Sequence, residues 1–528
     1  GTSTDPIVFT SLKDDAHGGD TNSDNNSSEP GPDQWGGVIL KNTSTGNKFH
    51  HCFFGYGGGW SISAMLNVKG SDAEIRNCTF NYSDERGIYS EFAALDIQNS
   101  SFTGNKSAGI YYSGLDSIQP SVLANNQFTD NEIWAVNGNL QGLQTSVTCS
   151  GNSSTGSSHN GFGMIGGIAT DVELTGQSDF PFIIAGSDAS VAENKTLTIS
   201  AGTTVKFDDH YSDLWVGGKL LAVGTSTDPI VFTSLKDDAH GGDTNSDNNS
   251  SEPGTDQWGG IILKNTSTGN KFHHCFFGYG GGWSTSGMLE VNESEAEVLN
   301  CTFHASSQRG IYLESAVLDI QNSIFSDNQW EGIYYNGLHS TQPLVLNNNQ
   351  FTDNVNWAVN GNLQGLQSSI SLSGNNSSGS HHNGFGMIGE IAGEVDFNGQ
   401  SDFPFIIAGS DVSVAENKAL TISAGTTVKF DDHYSDLHVY GTLNATGTAG
   451  NSIVFTSITD DAHGGDTNGD AGATSPAPDD WGGIIFYETS NSNHLQYCWL
   501  GYGGGWSTNT NIKINTSDVA IQNITSTK

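Results

Sequence analysis

The feature that most constrains the fold of this chain is its internal repetition. Gly1 aligns with Gly224 and Gly447, which gives a sequence period of 223 residues. Over residues 1–61 the second copy differs from the first at only two positions. Copies this similar are typical of architectures in which each repeat packs on its neighbours, so a single core built from unique elements is not expected.

A shorter repeat with the pattern N-x-x-F lies within each copy. It occurs at Asn77–Phe80, Asn99–Phe102 and Asn125–Phe128, with spacings of 22 and 26 residues. The intervening segments alternate polar and apolar residues, as in AEIRNCTF and LDIQNSSF, which is the period of a β-strand. Frequent Gly, Asn and Ser oppose helix formation. We therefore predict an all-β fold, a parallel β-solenoid in which equivalent Phe side chains stack inside and equivalent Asn side chains form ladders, about 4.8 Å apart.

The formal net charge of −39 limits the classes of partner. Nucleic acids and anionic membranes are bound through Lys and Arg, so we expect neither a nucleic-acid partner nor membrane insertion. No apolar stretch of about 18 residues is present, and no signal peptide is visible. Because the chain starts and stops inside repeats, we expect it to be a segment of a longer protein that meets cations or saline surroundings.

The six Cys residues occupy partly equivalent positions. Cys52, Cys275 and Cys498 align with one another, and so do Cys78 and Cys301. A disulfide framework would be denser, so we predict stacked, buried thiols. The alternative is a disulfide between Cys52 and Cys78 on neighbouring coils.

An acidic loop, KDDAHGGDTNSDN at 13–25, recurs in recognisable form in all three copies. Asp20, Asn22 and Asp24 alternate as D-x-N-x-D, the spacing of the first three ligands in EF-hand-like calcium loops. Carboxylates at this density repel one another, and a bound Ca²⁺ would cancel that repulsion. The predicted Ca²⁺ ligands are Asp14, Asp15, Asp20, Asn22 and Asp24 in the first copy, Asp237, Asp238, Asp243, Asn245 and Asp247 in the second, and Asp460, Asp461, Asp466, Asn468 and Asp470 in the third.

The alternative interpretation of this loop is a solvated acidic segment without an ion. Gly31 stands at the twelfth loop position in place of a bidentate Glu, so a helix–loop–helix EF-hand is excluded. The candidate later ligands are Asp33, Asp256 and Asp479. A second acidic turn, KFDDHYSD at 206–213 and 429–436, is interpreted either as a polar solenoid turn or as a second cation site. Its candidate ligands are Asp208, Asp209 and Asp213.

Residues 202–260 carry the patterns G-T-x-x-K-F, P-I-x-F-T-S, D-D-x-x-G-G-D-T-N-x-D and W-G-G-I. With these motifs the chain resembles the right-handed parallel β-helix modules of very large secreted surface proteins of Bacteroidota. The resemblance implies tandem right-handed β-helix modules with inserted acidic loops, serving as extended surface fibres or adhesins, often exported by the type IX route. Some such proteins resemble filament components of gliding, predatory marine bacteria. Asn25 and Ala471 depart from the pattern, since the family often has Gly at these loop positions.

The resemblance also implies module boundaries, because such modules open with a segment like SDFPFIIAGSDASVAENKTLTISAGTTVKF. That segment begins near Gln177 and again near Gln400. We therefore predict a truncated module at 1–175, a complete module at 176–398 and a truncated module at 399–528. The Gly-, Ser- and Asn-rich stretches at 150–161 and 373–384 are interpreted as linkers or hinges.

Near-identical copies suit a spacer, in which length matters more than any one site. We expect a structural repeat segment of an extracellular surface filament or adhesin, a calcium-stiffened rod that mediates attachment to cells or surfaces. The expected partners are neighbouring copies of itself and, further, surface glycans. In the recurring motif GYGGGW, Trp60 and Tyr56 are expected to pack over a turn, with an adhesive surface as the alternative.

The alternatives in other functional classes are a carbohydrate-binding adhesin and a polysaccharide lyase or hydrolase. β-Helix lyases resemble one another in pairing Ca²⁺ with a basic residue. Arg86 and Arg309 are the only recurring Arg, but Asp84 and Glu85 before the first become Ser307 and Gln308 before the second. Hydrolases need two carboxylates that face one cleft, and no such pair is recognised outside the acidic loop, so we expect no catalytic residues and no enzyme.

Overall fold

The structure, a computed structural model, describes residues 1–59, 62–93, 95–114, 120–139, 146–316, 318–337, 343–516 and 518–527. These residues form short strands and turns, and no helix occurs among them. They divide into two compact units, Gly1–Ile261 with His274–Tyr279, and Ile262–His273 with Gly280–Lys528. Each unit is a parallel β-solenoid, as predicted. In the described part of the chain, no helix is long and apolar enough to cross a lipid bilayer.

The first unit is built from three parallel ladders, in which each strand pairs with the strand one coil away. The first ladder comprises Ile7–Phe9, Cys52–Gly55, Thr79–Asn81, Ser101–Thr103, Gln127–Thr129 and Ser153–Thr155. The second comprises Val38–Leu40, Ala64–Lys69, Arg86–Glu91, Ala108–Ser113, Trp134–Asn139, His159–Ile168 and Phe182–Val191. At Phe182–Val191 the second ladder divides into two branches. One branch contains Thr204–Phe207, Ile230–Ser234 and Cys275–Gly278, and the other contains Leu214–Val216. The third comprises Asn47–His50, Ala73–Arg76, Leu95–Gln98, Ser121–Ala124, Val147–Ser150, Val172–Thr175, Thr196–Ile199 and Lys219–Val223.

The second unit repeats this arrangement, and the strand Ile261–Leu263 contains the residue at which the two units divide. Its first ladder comprises Thr302–His304, Ile324–Ser326, Gln350–Thr352 and Asn376–Ser378. Its second comprises Gly287–Asn292, Arg309–Glu314, Ile333–Asn336, Trp357–Asn362, His382–Ile391 and Phe405–Val414. At Phe405–Val414 this ladder divides into two branches. One branch contains Thr427–Phe430, Ile453–Ser457, Cys498–Gly501 and Thr525–Thr527, and the other contains Asp436–Val439, Gly483–Phe486 and Ile512–Ile514. Its third comprises Asn270–His273, Ala296–Leu299, Asp319–Gln321, Leu344–Asn347, Ile370–Ser373, Glu394–Asn398, Ala419–Ile422, Thr442–Thr446, Asn493–Gln496 and Val519–Gln522.

The core of each unit contains the predicted Phe stack. In the first unit the rings of Phe54, Phe80, Phe102 and Phe128 follow one another at centroid distances of 4.7, 5.0 and 5.0 Å, with interplanar angles of 12° or less. All four side chains are fully buried. Parallel register places equivalent residues directly above one another, so the N-x-x-F repeat becomes a continuous apolar column.

The predicted Asn ladder is present, but the residue that forms it differs from the expected one. The first Asn of the pattern takes a left-handed backbone conformation, with φ of 52° at Asn99 and 55° at Asn125. The ladder is formed one residue later, where the buried Asn126 donates through Nδ2 to Asn152 Oδ1 at 3.0 Å and to the Ile97 carbonyl oxygen at 2.9 Å. Asn tolerates positive φ better than most residues, so each Asn of the pair has its own structural role.

The Gly- and Ser-rich stretches do not interrupt the solenoid, so the interpretation of 150–161 and 373–384 as linkers is wrong. In the first stretch, Ser153–Thr155 pairs in register with Gln127–Thr129, and His159–Ile168 pairs with Trp134–Asn139. Small polar residues suit these narrow coils because their hydroxyl and amide groups complete the ladders. The module boundaries at 175 and 398 stay a prediction.

All six Cys residues are free and buried, as predicted, and the alternative of a Cys52–Cys78 disulfide is wrong. The two thiols are neighbours on adjacent coils, and the backbone amide of Cys52 donates to Cys78 Sγ at 3.4 Å. Burial raises the pKa of Cys78 to about 12. These thiols therefore stay protonated and act as small apolar residues of the core.

Candidate metal centres

In each acidic loop, a buried Asp near the start of the loop hydrogen-bonds to the preceding strand. In the second loop Asp237 Oδ2 accepts a hydrogen bond from Thr233 Oγ1 at 2.6 Å and lies 2.8 Å from His240 Nδ1. Burial opposes ionisation of Asp237, but the His240 and Thr233 hydrogen bonds hold its pKa below the usual range. Asp14 and Asp460 make the same contacts in their loops. These three predicted ligands therefore use one carboxylate oxygen to fix the loop to its strand.

The turn of each loop is closed by an Asp that accepts backbone amides. Asp243 Oδ1 accepts from the amide of Asp247 at 3.0 Å, and Asp243 Oδ2 accepts from the amide of Asn248 at 3.1 Å. Closing the turn requires left-handed backbone, with φ of 57° at Asn248 and at its third-copy equivalent Ala471. Asn25, the first-copy equivalent, has φ of 55°. Glycine adopts this backbone conformation without strain, so it would suit the position.

Three carboxylates converge in each loop. They are Asp15, Asp20 and Asp24 in the first loop, Asp238, Asp243 and Asp247 in the second, and Asp461, Asp466 and Asp470 in the third, with one carboxylate oxygen per residue within 4.8 Å of the others. Burial, and then the charges of Asp243 and Asp247, raise the pKa of Asp238. The structure therefore brings together nine of the predicted ligands, whereas Asp14, Asp237 and Asp460 and the candidate later ligands Asp33, Asp256 and Asp479 are not members of these groups.

The same loops contain buried oxygens without a hydrogen-bond partner. Both carboxylate oxygens of Asp238 and Oδ1 of Asn245 are in this state, and so are Oδ1 of Asp461 and Oδ1 of Asn468 in the third loop. In the first loop it is Oδ1 of Asp15. Buried polar atoms are normally paired, and carboxylate and amide oxygens are the donors that Ca²⁺ takes. The residues present thus fit a Ca²⁺ ion, and the middle Asn of D-x-N-x-D supplies one of the free oxygens.

Sequence reasoning missed a buried lysine beneath the second loop. Lys206 is fully buried, and its Nζ donates to the carbonyl oxygens of Asp237 and Gly242 at 3.0 and 2.9 Å and to Thr244 Oγ1 at 2.7 Å. Burial lowers the pKa of Lys206 to about 8, against the opposing effect of the loop carboxylates. Lysine is rarely buried without partners, so the Lys of the recurring G-T-x-x-K-F pattern was the available signal.

The third loop has the same anchor in Lys429. Its Nζ donates to the carbonyl oxygens of Asp460 and Gly465 at 3.0 and 2.9 Å, and burial likewise lowers its pKa to about 8. The anchor therefore recurs with the repeat.

The second loop is also hydrogen-bonded to the stretch first interpreted as a linker. Asn160 Nδ2 donates to the Asp243 carbonyl oxygen at 3.0 Å and to Ser246 Oγ at 2.7 Å, and Ser246 Oγ donates to the Ser157 carbonyl oxygen at 2.6 Å. In the third loop Asn383 Nδ2 donates to the Asp466 carbonyl oxygen at 3.1 Å. The loops are thus fastened to coils more than 80 residues earlier in the chain.

The second acidic turn does not assemble as a cation site from its predicted residues. Asp208 Oδ1 lies 3.5 Å from His159 Nε2, Asp209 Oδ1 accepts from the amide of Tyr211 at 2.9 Å, and Asp213 Oδ1 accepts from the amide of Gly260 at 2.8 Å. Each carboxylate has a separate structural partner. For the copy at 206–213, the polar solenoid turn is therefore the interpretation that fits the contacts.

The recurring Arg residues are held by neighbouring side chains. Arg309 Nε donates to the buried Glu331 at 2.7 Å, and its guanidinium lies 4.8 Å from the ring centre of Tyr334 and 5.1 Å from that of Trp330. Arg86, the equivalent residue, pairs with Glu85 at 3.1 Å and lies over Tyr111 at 4.7 Å. Both arrangements use the cation for packing.

The aromatic residues of GYGGGW fall into two environments. Tyr56 stacks on Tyr82 at 5.8 Å, as expected for packing at a turn. Trp60 lies outside the described residues. Its equivalents Trp283 and Trp506 are 82% and 81% exposed, so at these two positions the indole does not pack over a turn. Single exposed indoles of this kind are available for contact with a ligand.

Comparison with known proteins adds one match. No curated protein and no solved structure matches the chain. The β-helix fold occurs in both enzymes and non-enzymes, so the fold by itself leaves the activity open. Residues 240–385 match the family model described as "Right handed beta helix region", and this match supports a right-handed β-helix repeat in the chain.

Proposed function

We propose that the chain is a structural repeat segment of an extracellular surface filament or adhesin, in which Ca²⁺ bound at the three acidic loops stiffens the solenoid. The observation that carries this proposal is that all three acidic loops bring three Asp carboxylates together and contain buried oxygens without a hydrogen-bond partner. The partners in this proposal are neighbouring copies of the chain within a filament. In this proposal, attachment to cells or surfaces depends on many copies of one repeated unit and does not depend on a single active site.

The proposed effect of Ca²⁺ depends on how the loops are fastened. The second loop is tied to buried strands through Lys206 and Asn160, so a loop that is locked by a cation also restrains those strands. Without the ion, mutual repulsion among Asp238, Asp243 and Asp247 favours opening of the loop. A ligand that binds only the closed loop stabilises the fold by mass action.

The proposed role is not catalytic. Supporting this, Arg309 is already paired with Glu331, and the Lys206 ammonium beneath the second loop already donates to two carbonyl oxygens and one hydroxyl. A lyase would need a basic group free to take a proton from a uronate. Incubation of the full chain with polyuronate, with absorbance of the unsaturated product as the readout, is expected to give no product.

The direct test is calorimetric titration of Ca²⁺ into the full chain after removal of cations with a chelator. We expect three sites per chain and, in electron micrographs of native multi-chain material, filaments that fray when the chelator is added. Absence of heat together with filaments unaffected by chelator would overturn the role of calcium. Isolated chains under every condition would overturn the filament.

Two matched double variants each remove two negative charges from the first and second loops. One variant removes them from the sets of three converging Asp residues, and the other removes them from Glu residues outside those sets. Asp15→Asn with Asp238→Asn is expected to reduce the stoichiometry from three sites to one. Glu29→Gln with Glu252→Gln removes two charges from the same loops, at positions where the third copy has Ser475, and is expected to leave three sites. An equal loss of Ca²⁺ sites in the two double variants would mean that Ca²⁺ binding depends only on the net charge of the loop.

A second candidate function, a carbohydrate-binding adhesin, is favoured by the 82% and 81% exposure of Trp283 and Trp506. Exposed indole faces stack on sugar rings. Saturable binding to a glycan panel that is lost in Trp283→Ala with Trp506→Ala would favour this function. Leu12→Ala, which removes another exposed apolar side chain, is the control.

A further inference from the structure

A second type of side-chain cluster lies on the outer face of one coil of the second unit. Asp436 and His438 belong to the strand Asp436–Val439, and alternation along a strand puts them on one face. Val412 pairs with Leu437, so Asp411 lies beside Asp436, and the Asp436 amide donates to Asp411 Oδ1 at 3.0 Å. One carboxylate oxygen from each Asp and one ring nitrogen of His438 lie within 4.8 Å of one another.

The cluster contains an unsatisfied buried oxygen. Asp436 is 2% exposed, and its Oδ1 is buried without a hydrogen-bond partner, although the Ser507 hydroxyl and the Gly483 amide hydrogen-bond the same carboxylate. The strand neighbour of Asp436 is Gly483, and a side chain on the preceding Gly482 would collide with Asp436 Oδ1. Gly482 of the W-G-G-I motif thus leaves the space that this carboxylate occupies.

The equivalent cluster one repeat earlier is satisfied without an ion. There Asp213 Oδ1 accepts from the Gly260 amide at 2.8 Å, and Trp215 Nε1 donates to Asp188 Oδ2 at 3.1 Å. The indole of Trp215 is replaced by the imidazole of His438 in the next copy. An N–H group that can only donate is thereby exchanged for a ring that can bind a metal ion.

The orientation of His438 is fixed by a residue that also differs between copies. His438 Nδ1 lies 3.0 Å from Tyr487 Oη, and His438 Nε2 lies 2.9 Å from Asp411 Oδ2. Residue 264, the equivalent of Tyr487 one repeat earlier, is Lys. Metal-binding histidines characteristically use their second nitrogen in such a contact, which sets the tautomer and aims the other nitrogen at the ion.

We propose that Asp411, Asp436 and His438 bind one divalent transition-metal ion of the zinc class, with one imidazole nitrogen and two carboxylate oxygens as ligands. Zn²⁺ ligands of these types lie about 2.0–2.2 Å from the ion and therefore roughly 3–4 Å from one another, which the cluster reaches with small adjustments. The nitrogen ligand separates this site from the all-oxygen acidic loops, which suit Ca²⁺. The site is independent of the proposed calcium function.

The experiment is titration of Zn²⁺, and separately of Co²⁺ for its visible spectrum, into the full chain in excess Ca²⁺, which masks the acidic loops. We expect one high-affinity site in the native chain and none in His438→Trp, a variant that restores the residue of the earlier copy and so preserves the fold. Asp411→Asn, at an exposed position, is a second variant expected to lose the site. His382→Gln, which removes an imidazole paired with the single carboxylate of Asp431, is the control expected to keep it.

Tyr487→Phe tests the orienting contact and is expected to weaken Zn²⁺ binding by about 10–100-fold while retaining the Co²⁺ spectrum. Equal Zn²⁺ binding in the native chain and in His438→Trp would overturn the proposal. A native chain that binds no Zn²⁺ would also overturn it and would leave the cluster as an Asp411–His438 ion pair.

Discussion

The ammonium group of Lys206 donates a hydrogen bond to the carbonyl oxygen of Asp237 at 3.0 Å, from a position with no solvent exposure. This contact joins a core strand to the root of an acidic loop, and Lys429 repeats it at Asp460. A loop that looks like an independent insertion in the sequence is therefore continuous with the core. The stability of the loop and that of the coil beneath it are consequently coupled.

Lys206→Met tests this coupling. The substitution keeps the apolar stem but leaves two carbonyl oxygens and one hydroxyl without their donor, so we expect destabilisation of about 1–3 kcal/mol. Hydrogen exchange at residues 236–253 should accelerate relative to the native chain. Lys219→Met, at a half-buried position on the strand Lys219–Val223, is the control, and equal protection of the loop in both variants would contradict the anchoring role.

Ala471→Gly is expected to stabilise the third loop. Ala471 has φ of 57°, a conformation that costs an L-residue about 1–2 kcal/mol, whereas glycine loses about 0.5–1 kcal/mol through its more flexible unfolded state. The expected net gain is about 0.5–1 kcal/mol, seen as slower exchange of the loop amides. Ala473→Gly, where φ is not positive, should instead destabilise the loop, and the same sign for both variants would argue against backbone strain at residue 471.

The two recurring Arg residues should differ in their contribution to stability. Arg309→Ala leaves the buried Glu331 without its counter-charge and is expected to cost about 3 kcal/mol at neutral pH. Arg86→Ala removes an ion pair with the half-exposed Glu85 and is expected to cost about 1 kcal/mol or less. Chemical denaturation of the two variants measures the difference, and equal losses would contradict the environment described for Glu331.

The Arg309→Ala variant also has an expected pH dependence. Burial raises the pKa of Glu331, with Arg309 opposing the shift. Because the folded-state pKa lies above the unfolded value, the folded chain binds the proton more tightly, and the stability that this confers is lost as pH rises through the folded pKa. Without Arg309 that pKa rises further, so the destabilisation should be smaller near pH ~4 than at neutral pH. Arg86→Ala should show a smaller difference, because its exposed ion pair with Glu85 contributes little to stability.

Substitution of two adjacent Asn residues of a coil turn should change stability by very different amounts. Asn126→Ala removes the side-chain partner of the Ser100 amide and of the Ile97 carbonyl oxygen, so we expect a loss of about 2–4 kcal/mol, whereas Asn152 Oδ1 keeps the Asn126 backbone amide as a donor. Asn125→Gly should be nearly neutral, within about 0.5 kcal/mol, because Asn125 has φ of 55° and Gly151 already occupies the equivalent position. Thermal unfolding of the two variants compares them, and a reversed order would contradict the ladder assignment.

Much of the fold was predictable because residues that are equivalent in the sequence repeat occupy equivalent positions in successive coils. Phe80, Phe102 and Phe128 recur at the length of one coil, and parallel pairing then stacks them. The D-x-N-x-D spacing likewise indicated that Asp243 and Asp247 lie close together, since they are near enough in sequence to meet within one turn. Local spacing sufficed wherever the partners belong to the same turn or to equivalent positions of successive coils.

The sequence by itself determined the all-β solenoid, its interior columns and the location of the acidic loops, because each depends on periodicity. The tertiary structure decided that Asp237 fixes the loop to its strand whereas Asp238 joins the carboxylate group, and that Lys206 and Asn160 lie against the loop. It also decided that Asp411 meets His438. The contacts of Lys206, Asn160 and Asp411 join residues separated by one or more coils of unequal length, and the different roles of Asp237 and Asp238 depend on side-chain direction. Strand register and side-chain direction are not specified by any single stretch of sequence.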